Sequence, residues 1–264
     1  MKRILLTIVL AGLCSVCAYA QLGKKINLDR AAKAAAKGAQ SLTISDAEII
    51  EYTNQYMKWM DANNPICGTA DRDEGMKAVA DRLEGIVSVI PADMIKEFNL
   101  NIRAYYVVDV NAFAAANGDI RMFAGLMDLL TDDEILAVVG HEIGHIVNRD
   151  TRDAFVTALR ISALRDAAGA VGGNTVARLT DSQLGDLAEA LGNAQFSQKQ
   201  ETEADAYGYE FLKKTGKAPD NMASALEVLL KLQEEAGAPE NSKFQRLFSS
   251  HPDLKNRIET LRKR

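Results

Sequence analysis

The residue types best suited to chemistry in this chain lie in one short segment, His141 to His145. It reads His-Glu-Ile-Gly-His, the H-E-x-x-H pattern, in which two histidines are separated by one helical turn. Both imidazoles then project from one helix face and can bind a single Zn²⁺, with Glu142 placed to reach a water on that metal. The alternative is a pair of core histidines, each of which would need a polar partner that the neighbouring sequence hardly offers.

A catalytic zinc ion needs a third protein ligand and one open position. The candidates are His251, the one other histidine of the chain, and an acidic cluster at Glu201, Glu203 and Asp205. Glu201 and Asp205 are four residues apart and share a helix face, whereas Glu203 points elsewhere. This spacing suits Glu201 as the ligand and Asp205 as the acceptor of an imidazole N–H. The alternative is a solvated acidic turn near the beginning of a helix, where acidic side chains are stabilised.

The elements that must position these residues are a buried helix and a small sheet before it. Thr131 and Glu134 form a capping-box pattern that begins the helix, and apolar residues recur through it with helical spacing. Upstream, two runs rich in β-forming residues, Ile102 to Val110 and Ile120 to Phe123, flank Asn117-Gly118. Because Asn-Gly between such runs is a strong hairpin signal, we expect a small antiparallel sheet directly before the zinc-binding helix.

The remaining sequence has the pattern of a mostly helical α+β protein in one domain. With 47% hydrophobic and 25% charged residues over 264 positions, the chain can bury a core but is too polar for a membrane bundle. Its net charge of −5 makes nucleic acid a poor candidate partner. The further helices are expected at Asp29 to Gly38, Ser45 to about Asp61, Asp71 to before Pro91, 151 to 192 with a break at Gly172-Gly173, Ser197 to Lys214, Asp220 to Glu235, and from Pro252 onward.

The first twenty residues have the pattern of a secretory signal peptide. Lys2 and Arg3 precede an apolar stretch, Ile4 to Leu13, and the segment ends in Ala18-Tyr19-Ala20. The apolar stretch is shorter than the roughly 20 residues that cross a bilayer. We therefore expect cleavage after Ala20 and export to the periplasm or envelope.

The mature chain is expected to be residues 21–264, a single domain with an N-terminal helical lead-in and no transmembrane span. Lipid modification is the alternative to simple cleavage, because the segment contains cysteines at 14 and 17. Leu13 and Val16 precede them where a lipoprotein signal needs a small residue, which disfavours a lipoprotein.

Three motifs together resemble the signatures of the zinc metallopeptidase family that includes HtpX, BepA and the CAAX prenyl proteases. They are His141 to His145, Gln200 to Asp205, and Ser250-His251-Pro252 followed by Arg257. The resemblance implies a zincin-like fold with His141, His145 and Glu201 as metal ligands, Glu142 as the base, and a role in envelope protein quality control. Shorter segments resemble envelope members of this family, namely Asp109 to Ala114, Ala116 to Gly118, Gly125 to Asp128 and Gln195 to Gln198.

The expected reaction is hydrolysis of peptide bonds in unfolded or misfolded envelope proteins, with one Zn²⁺ per chain. Zinc lowers the pKa of its bound water to about 7, and Glu142 takes the proton and passes it to the leaving amine. Candidate donors to the oxyanion are Tyr207, His251 and Arg257, and the resemblance favours the last two. His251 is expected to be a latch on the metal or a transition-state donor; alternatively it only precedes Pro252 at a helix start.

Ile120, Arg121, Met122 and Phe123 are predicted to form an edge strand that pairs with an extended substrate. Because backbone pairing does not depend on the side chains of the substrate, we expect broad specificity for unfolded segments. The alternative is a strand that only covers the core.

A different class of function is an envelope chaperone or assembly factor whose zinc site is latched or structural, with the outer-membrane assembly machinery as partner. The open fourth position of the metal discriminates the two classes, because Glu142→Gln abolishes cleavage with zinc still bound only in an enzyme. A binding module that has lost its chemistry is disfavoured, because every expected ligand and the base are present.

Overall fold

The computed structural model of the protein describes residues 44–165, 178–236 and 245–264. The strands are β1 (Asn101–Tyr105), β2 (Ala112–Ala114) and β3 (Asp119–Phe123). The helices, in chain order, are α1 (Asp46–Asn63), α2 (Glu74–Val87), α3 (Ala92–Glu97), α4 (Ala124–Met127), α5 (Asp132–Val147), α6 (Asp150–Arg165), α7 (Asp181–Gly192), α8 (Gln198–Lys214), α9 (Asn221–Ala236), α10 (Gln245–Ser250) and α11 (Leu254–Arg262). The prediction of a mostly helical fold with a small sheet before the helix of the H-E-x-x-H segment is confirmed.

Several predictions fall outside the described residues. They concern the signal peptide at 1–20, the helix at 29–38 and the glycine break at 172–173. The single-domain organisation of residues 21–264 therefore stays a prediction. Within the described ranges, no helix combines the length and the apolar character that crossing a membrane requires.

The helices that carry the chemical motifs begin at capping boxes. The Thr131 side chain accepts the backbone N–H of Glu134, whose carboxylate accepts the backbone N–H of Thr131 in return. Ser197 and Gln200 make the same reciprocal pair at the beginning of α8. Each box satisfies backbone donors that the first turn of a helix leaves without partners. The starting residues of both helices are thereby fixed by local sequence.

The sheet is mixed rather than purely antiparallel. Its strand order is β1-β3-β2, with β1 parallel and β2 antiparallel to β3. The predicted hairpin between residues 102–110 and 120–123 is therefore wrong, although Asn117-Gly118 does form the turn before β3, with Gly118 at a φ of 93°. The antiparallel partner is Ala112–Ala114, whose alanines carry a weak strand signal. The longer run from 102 ends as a strand at Tyr105.

The prediction that residues 120 to 123 form an edge strand is wrong. Ile120 is in register with Ile102 of β1 on one side and with Ala114 of β2 on the other. Ile120, Arg121, Met122 and Phe123 are all buried in the middle of the sheet. A strand with partners on both sides has no backbone groups left for a substrate, and the outer strands of the sheet are β1 and β2.

Two apolar clusters are packed in the described residues. The larger one surrounds α5, in which Ile135, Val139 and Ile143 are fully buried, and extends to α8, α9 and the sheet. The second joins α1, α6 and α7 through residues such as Tyr56 and Phe155. A helix buried on nearly every side is held rigidly, so α5 is a suitable support for a metal site.

Arg121 lies almost completely buried in the sheet, with 1% of its side chain exposed. Its Nε and Nη2 atoms donate to the two carboxylate oxygens of Asp61, each at 3.0 Å, and Nη2 also donates to Asp119 at 3.1 Å. Burial alone would raise the pKa of Asp61, but hydrogen bonds from Arg121 and Tyr105 outweigh it and lower that pKa.

We expect Asp61→Ala to lower the free energy of unfolding by about 3 kcal/mol, because it leaves a buried guanidinium short of partners. Since the pKa of Asp61 is lower in the folded state, this stabilisation is present above the unfolded pKa and is lost as pH falls through the folded pKa. Urea unfolding at neutral and acidic pH measures both effects. The control is Asp46→Ala, which removes exposed, solvent-screened ion pairs to Arg149 and Arg152 and should therefore cost much less stability. Equal losses in both variants would contradict the role given to burial.

Candidate metal centre

The two histidines of the H-E-x-x-H segment lie on α5, one helical turn apart. Their Nε2 atoms are 3.1 Å from each other, and both His141 and His145 are buried. Gly144 lies on the face of α5 toward α8, where an added Cβ would be 2.9 Å from the Cα of Ala204. The missing side chain lets the two helices approach closely, which brings Glu201 to the histidines.

Glu201 lies in the first turn of α8 and is fully buried. Its Oε1 atom is 3.4 Å from Nε2 of His145, and its Oε2 atom is 3.7 Å from Nε2 of His141. Oε2 also forms an ion pair with Nη1 of Arg257. A buried carboxylate beside two imidazoles is a suitable ligand group for a cation.

His251 is the fourth member of the cluster. Its Nδ1 atom is 3.0 Å from Oε1 of Glu201 and 3.3 Å from Nε2 of His141. The residue lies in a turn between α10 and α11, because α11 begins at Leu254 after Asp253 in the left-handed region at φ 67°. The last helix therefore begins two residues later than the predicted start at Pro252. His251 precedes this helix and in addition contacts Glu201 and His141.

The four residues fit a small divalent metal ion. Ligands arranged tetrahedrally at about 2.0–2.1 Å from zinc lie about 3.3–3.4 Å from each other. Five separations between donor atoms of these residues run from 3.0 to 3.7 Å, and one ligand atom from each of the four residues lies within 4.8 Å of the others. Three imidazoles and one carboxylate are a donor set that first-row metals such as zinc accept. The residues that could hold the ion are His141, His145, Glu201 and His251.

Carboxylates behind the histidines fix how the rings are turned. Nδ1 of His141 donates to Asp205 at 2.9 Å, and Nδ1 of His145 donates to Asp150 at 2.9 Å. The other oxygen of Asp150 accepts from the Gln200 side chain at 2.8 Å. A proton held at Nδ1 leaves Nε2 of each ring as the metal-binding atom and raises its basicity.

The electrostatics of the cluster favour a bound cation. Burial alone would raise the pKa of Asp205, but hydrogen bonds from Arg257 outweigh it and lower that pKa to about 2. Burial also opposes ionisation of Glu201, yet the neighbouring imidazoles hold its pKa far below the usual range. For His145, burial is outweighed by the Asp150 and Glu201 carboxylates, which raise the pKa to about 9. Both acids are therefore ionised at neutral pH and attract positive charge.

Glu142 is buried next to the four donors and lines a cleft of about 860 Å³. Its Oε1 atom is 3.8 Å from Nε2 of His251, which lines the same cleft. The cleft runs along β2 and is bounded by side chains of α1, α6 and α7. Its larger apolar lining residues are Tyr56, Trp59, Met60, Phe113, Phe123, Phe155, Leu191 and Phe196.

Two of the three candidate oxyanion donors do not line this cleft. Arg257 is buried, with Nε and Nη2 donating to Asp205 at 2.7 and 2.6 Å and with Nη1 against Oε2 of Glu201. All of its nitrogens thus face carboxylates, so Arg257 holds Asp205 and Glu201 in place. Its catalytic role stays a prediction. The hydroxyl of Tyr207 contacts Sδ of Met94 at 3.9 Å. His251 is the candidate that faces the cleft.

The sequence model of peptidase family M48 matches residues 82–264, a range that includes the whole cluster. The chain belongs to peptidase family M48. It is 36% identical to Metalloprotease LoiP of Escherichia coli (strain K12) over 230 residues, which cover 87% of this chain and 85% of LoiP. It is 30% identical to Metalloprotease YcaL of the same organism over 265 residues, covering 100% of this chain and 98% of YcaL.

A more distant M48 relative is Protease HtpX of Glaesserella parasuis serovar 5 (strain SH0165), 28% identical over 193 residues, or 61% of this chain and 66% of HtpX. The predicted family and the predicted metalloprotease class are therefore confirmed. M48 proteins are metal-dependent, and the cluster provides a site for the metal.

Two residues of this M48 centre were not found from the sequence. Asp150 binds Nδ1 of His145 from the beginning of α6, five residues after that histidine. The ring of Phe196 stacks on the imidazole of His145, with ring centroids 4.0 Å apart and planes 17° apart. An acid one turn beyond the H-E-x-x-H segment was a signal for the first residue, whereas an isolated aromatic gives no chemical signal.

Proposed function

We propose that this chain is a zinc-dependent endopeptidase of the bacterial cell envelope that hydrolyses peptide bonds in unfolded or misfolded proteins. The observation that carries the proposal is the position of Glu142, buried beside the convergent His141, His145 and Glu201 and lining a cleft. When bound by these ligands, zinc supplies a Lewis acid and lowers the pKa of a water to about 7.

Side chains of the protein transfer the proton and position the metal ligands. Glu142 accepts the proton of the attacking water and delivers it to the leaving amine. Asp205 and Asp150 hold the two imidazoles in the tautomer that binds metal, and Arg257 holds Asp205 in turn. His141, His145 and Glu201 are buried and held by these partners, so the three ligands are already placed for the metal.

The free edge of β2 is suited to pair with an extended substrate. Asn111 and Ala115 make backbone bonds to β3 residues at 3.1 and 2.8 Å. Bonded pairs alternate in an antiparallel ladder, so Ala112 and Ala114 direct their N–H and C=O groups away from β3. A peptide that paired there would be recognised through its backbone. This mode of recognition supports broad specificity. Unfolded segments readily offer such a strand, which is why we propose unfolded proteins as substrates.

The envelope location is proposed from the sequence of residues 1–20. A basic start, an apolar stretch and the Ala18-Tyr19-Ala20 ending are the parts of an export signal. Cell fractionation followed by N-terminal sequencing tests this, with Gln21 expected as the first residue of the exported protein. Recovery of the uncleaved chain in the cytoplasm would contradict the proposed location.

A second candidate function is an envelope chaperone or assembly factor with a latched site, acting beside the outer-membrane assembly machinery. Its specific support is His251, whose Nδ1 lies among the other three donors. Four protein ligands close a zinc site, and closed sites are structural, whereas catalytic sites keep one position open. The two candidates differ in whether His251 leaves that position.

We expect the purified chain to contain about one zinc ion and to digest a reduced, carboxymethylated protein but not the same protein in its folded state. Because activity depends on the metal, a chelator should abolish digestion and added Zn²⁺ should restore it. Metal analysis and gel electrophoresis of the digest measure the two effects. Digestion that continues in the metal-free protein would overturn the proposed enzyme, and bound zinc without digestion would favour the second candidate.

A further inference from the structure

The turn that carries His251 is tied to the beginning of α8 on both sides of the histidine. Before it, the backbone N–H of Phe196 donates to the carbonyl of Ser250 at 3.1 Å. After it, Nε2 of Gln198 donates to Oδ2 of Asp253 at 2.9 Å. These two bonds connect the turn to the helix that supplies Glu201.

The ring of Phe196 adds a third contact. It is stacked on His145, as described above, and its centroid is 5.3 Å from that of the His251 ring at an angle of 40°. The side chain is half-buried and forms part of the cleft wall. One aromatic ring thus contacts imidazoles from α5 and from the turn.

The turn is held both by local hydrogen bonds, such as that from His251 N–H to the carbonyl of Leu247 at 2.9 Å, and by contacts to α8. Asp253 adopts a left-handed backbone at φ 67°, which is uncommon for a residue other than glycine and persists when surrounding contacts hold it. Its carboxylate accepts from the side chain of Asn256, three residues on, and from Gln198 of α8. The bond from Gln198 is a long-range contact to α8, in addition to the buried contacts that Arg257 of α11 makes with Asp205 and Glu201.

We infer that Phe196 and Gln198 form a clamp that holds His251 at the metal centre. Neither residue offers a ligand atom to the four-donor cluster, so both are positioning residues. Their effect is to keep Nδ1 of His251 within reach of the same ion as His141 and Glu201. The inference rests on the metal centre of the proposed function, but its test does not need peptide hydrolysis.

The test is a double-mutant cycle on zinc affinity. Gln198→Ala and Phe196→Ala are each expected to weaken zinc binding by about 10-fold, at the lower end of the effect of outer-shell partners. In a His251→Ala background, Gln198→Ala should change the affinity by less than about twofold, because residues that act through one partner are not additive. Competition with a chromophoric chelator at fixed pH measures the affinities. Phe196→Tyr keeps the ring and should retain the parent affinity.

A second readout is the absorption spectrum of the Co²⁺-substituted protein, which reports the number of ligands. The Gln198→Ala spectrum should move toward that of His251→Ala. Matched controls are Gln233→Ala on the exposed side of α9 and Phe98→Ala, a half-buried phenylalanine outside the cleft lining. If Phe196→Ala does not fold, the zinc affinity and the Co²⁺ spectrum of Gln198→Ala alone decide whether the clamp exists.

Additive effects, or an unchanged affinity and spectrum in Gln198→Ala, would overturn the clamp while leaving the proposed peptidase intact. A parent chain that binds no zinc would overturn both. If Gln198 and His251 are coupled in zinc binding but no unfolded protein is digested, the clamp is supported and the peptidase is rejected.

Discussion

Replacing Glu142 by glutamine is expected to lower kcat/KM for an unfolded protein substrate by about 10²–10⁴-fold, the usual contribution of general acid–base catalysis. The amide keeps the size of the side chain but cannot accept the proton of the attacking water. Zinc should remain bound, because the four donors of the centre do not include Glu142. Initial rates of digestion and metal analysis of the same preparation measure the two quantities.

The matched control for this variant is Glu203→Gln. Glu203 lies on α8 near the ligand Glu201, but half of its side chain is exposed and it pairs with Lys199 at 3.7 Å on the surface. The same chemical change there should leave both the rate and the zinc content as in the parent. A Glu142→Gln protein with near-parental rates would show that another group takes the proton.

The parts of the centre predictable from sequence are those set by local geometry. The one-turn spacing of His141 and His145 and the four-residue spacing of Glu201 and Asp205 fix which side chains share a helix face. The capping box at Thr131 fixes where α5 begins. These features need no knowledge of the rest of the fold, and the structure places the side chains accordingly.

The parts that could not be predicted depend on long-range pairing. Nothing in the local sequence of β3 shows that β1 pairs with its second edge. The sequence therefore predicts Ile120 to Phe123 at a free edge, whereas the structure places them in the middle of the sheet. The role of Arg257 is likewise set by α8, where Asp205 and Glu201 engage all of its nitrogens. Sequence identifies these chemical groups but not the partners that use them.

The position of His251 connects the two candidate functions to one equilibrium. With Nδ1 among the donors, His251 occupies the place that a catalytic zinc ion keeps for water and substrate. A protein with this closed arrangement can still be a peptidase if the turn at 250–253 leaves the centre when a peptide enters the cleft. The fraction of molecules in the open state then sets the apparent activity.

His251→Ala is therefore expected to raise kcat/KM by about tenfold if nine-tenths of the parent molecules are closed, because activity scales with the competent fraction. The same variant should bind zinc more weakly, since one of four ligands is gone. Cleavage rates are measured on a short peptide and on an unfolded protein, with zinc in excess. These rates separate the gain in substrate access from the loss of zinc affinity.

The sign of the change discriminates the roles of His251. A latch predicts a higher rate with weaker zinc binding, whereas a donor to the transition state predicts a rate about 10²–10³-fold lower, as for removal of one oxyanion donor. His251→Gln, which keeps a hydrogen-bond donor, should restore part of the rate only in the second case. Because His251 lies 3.0 Å from Glu201 and faces the cleft beside Glu142, an unchanged rate would leave neither role standing.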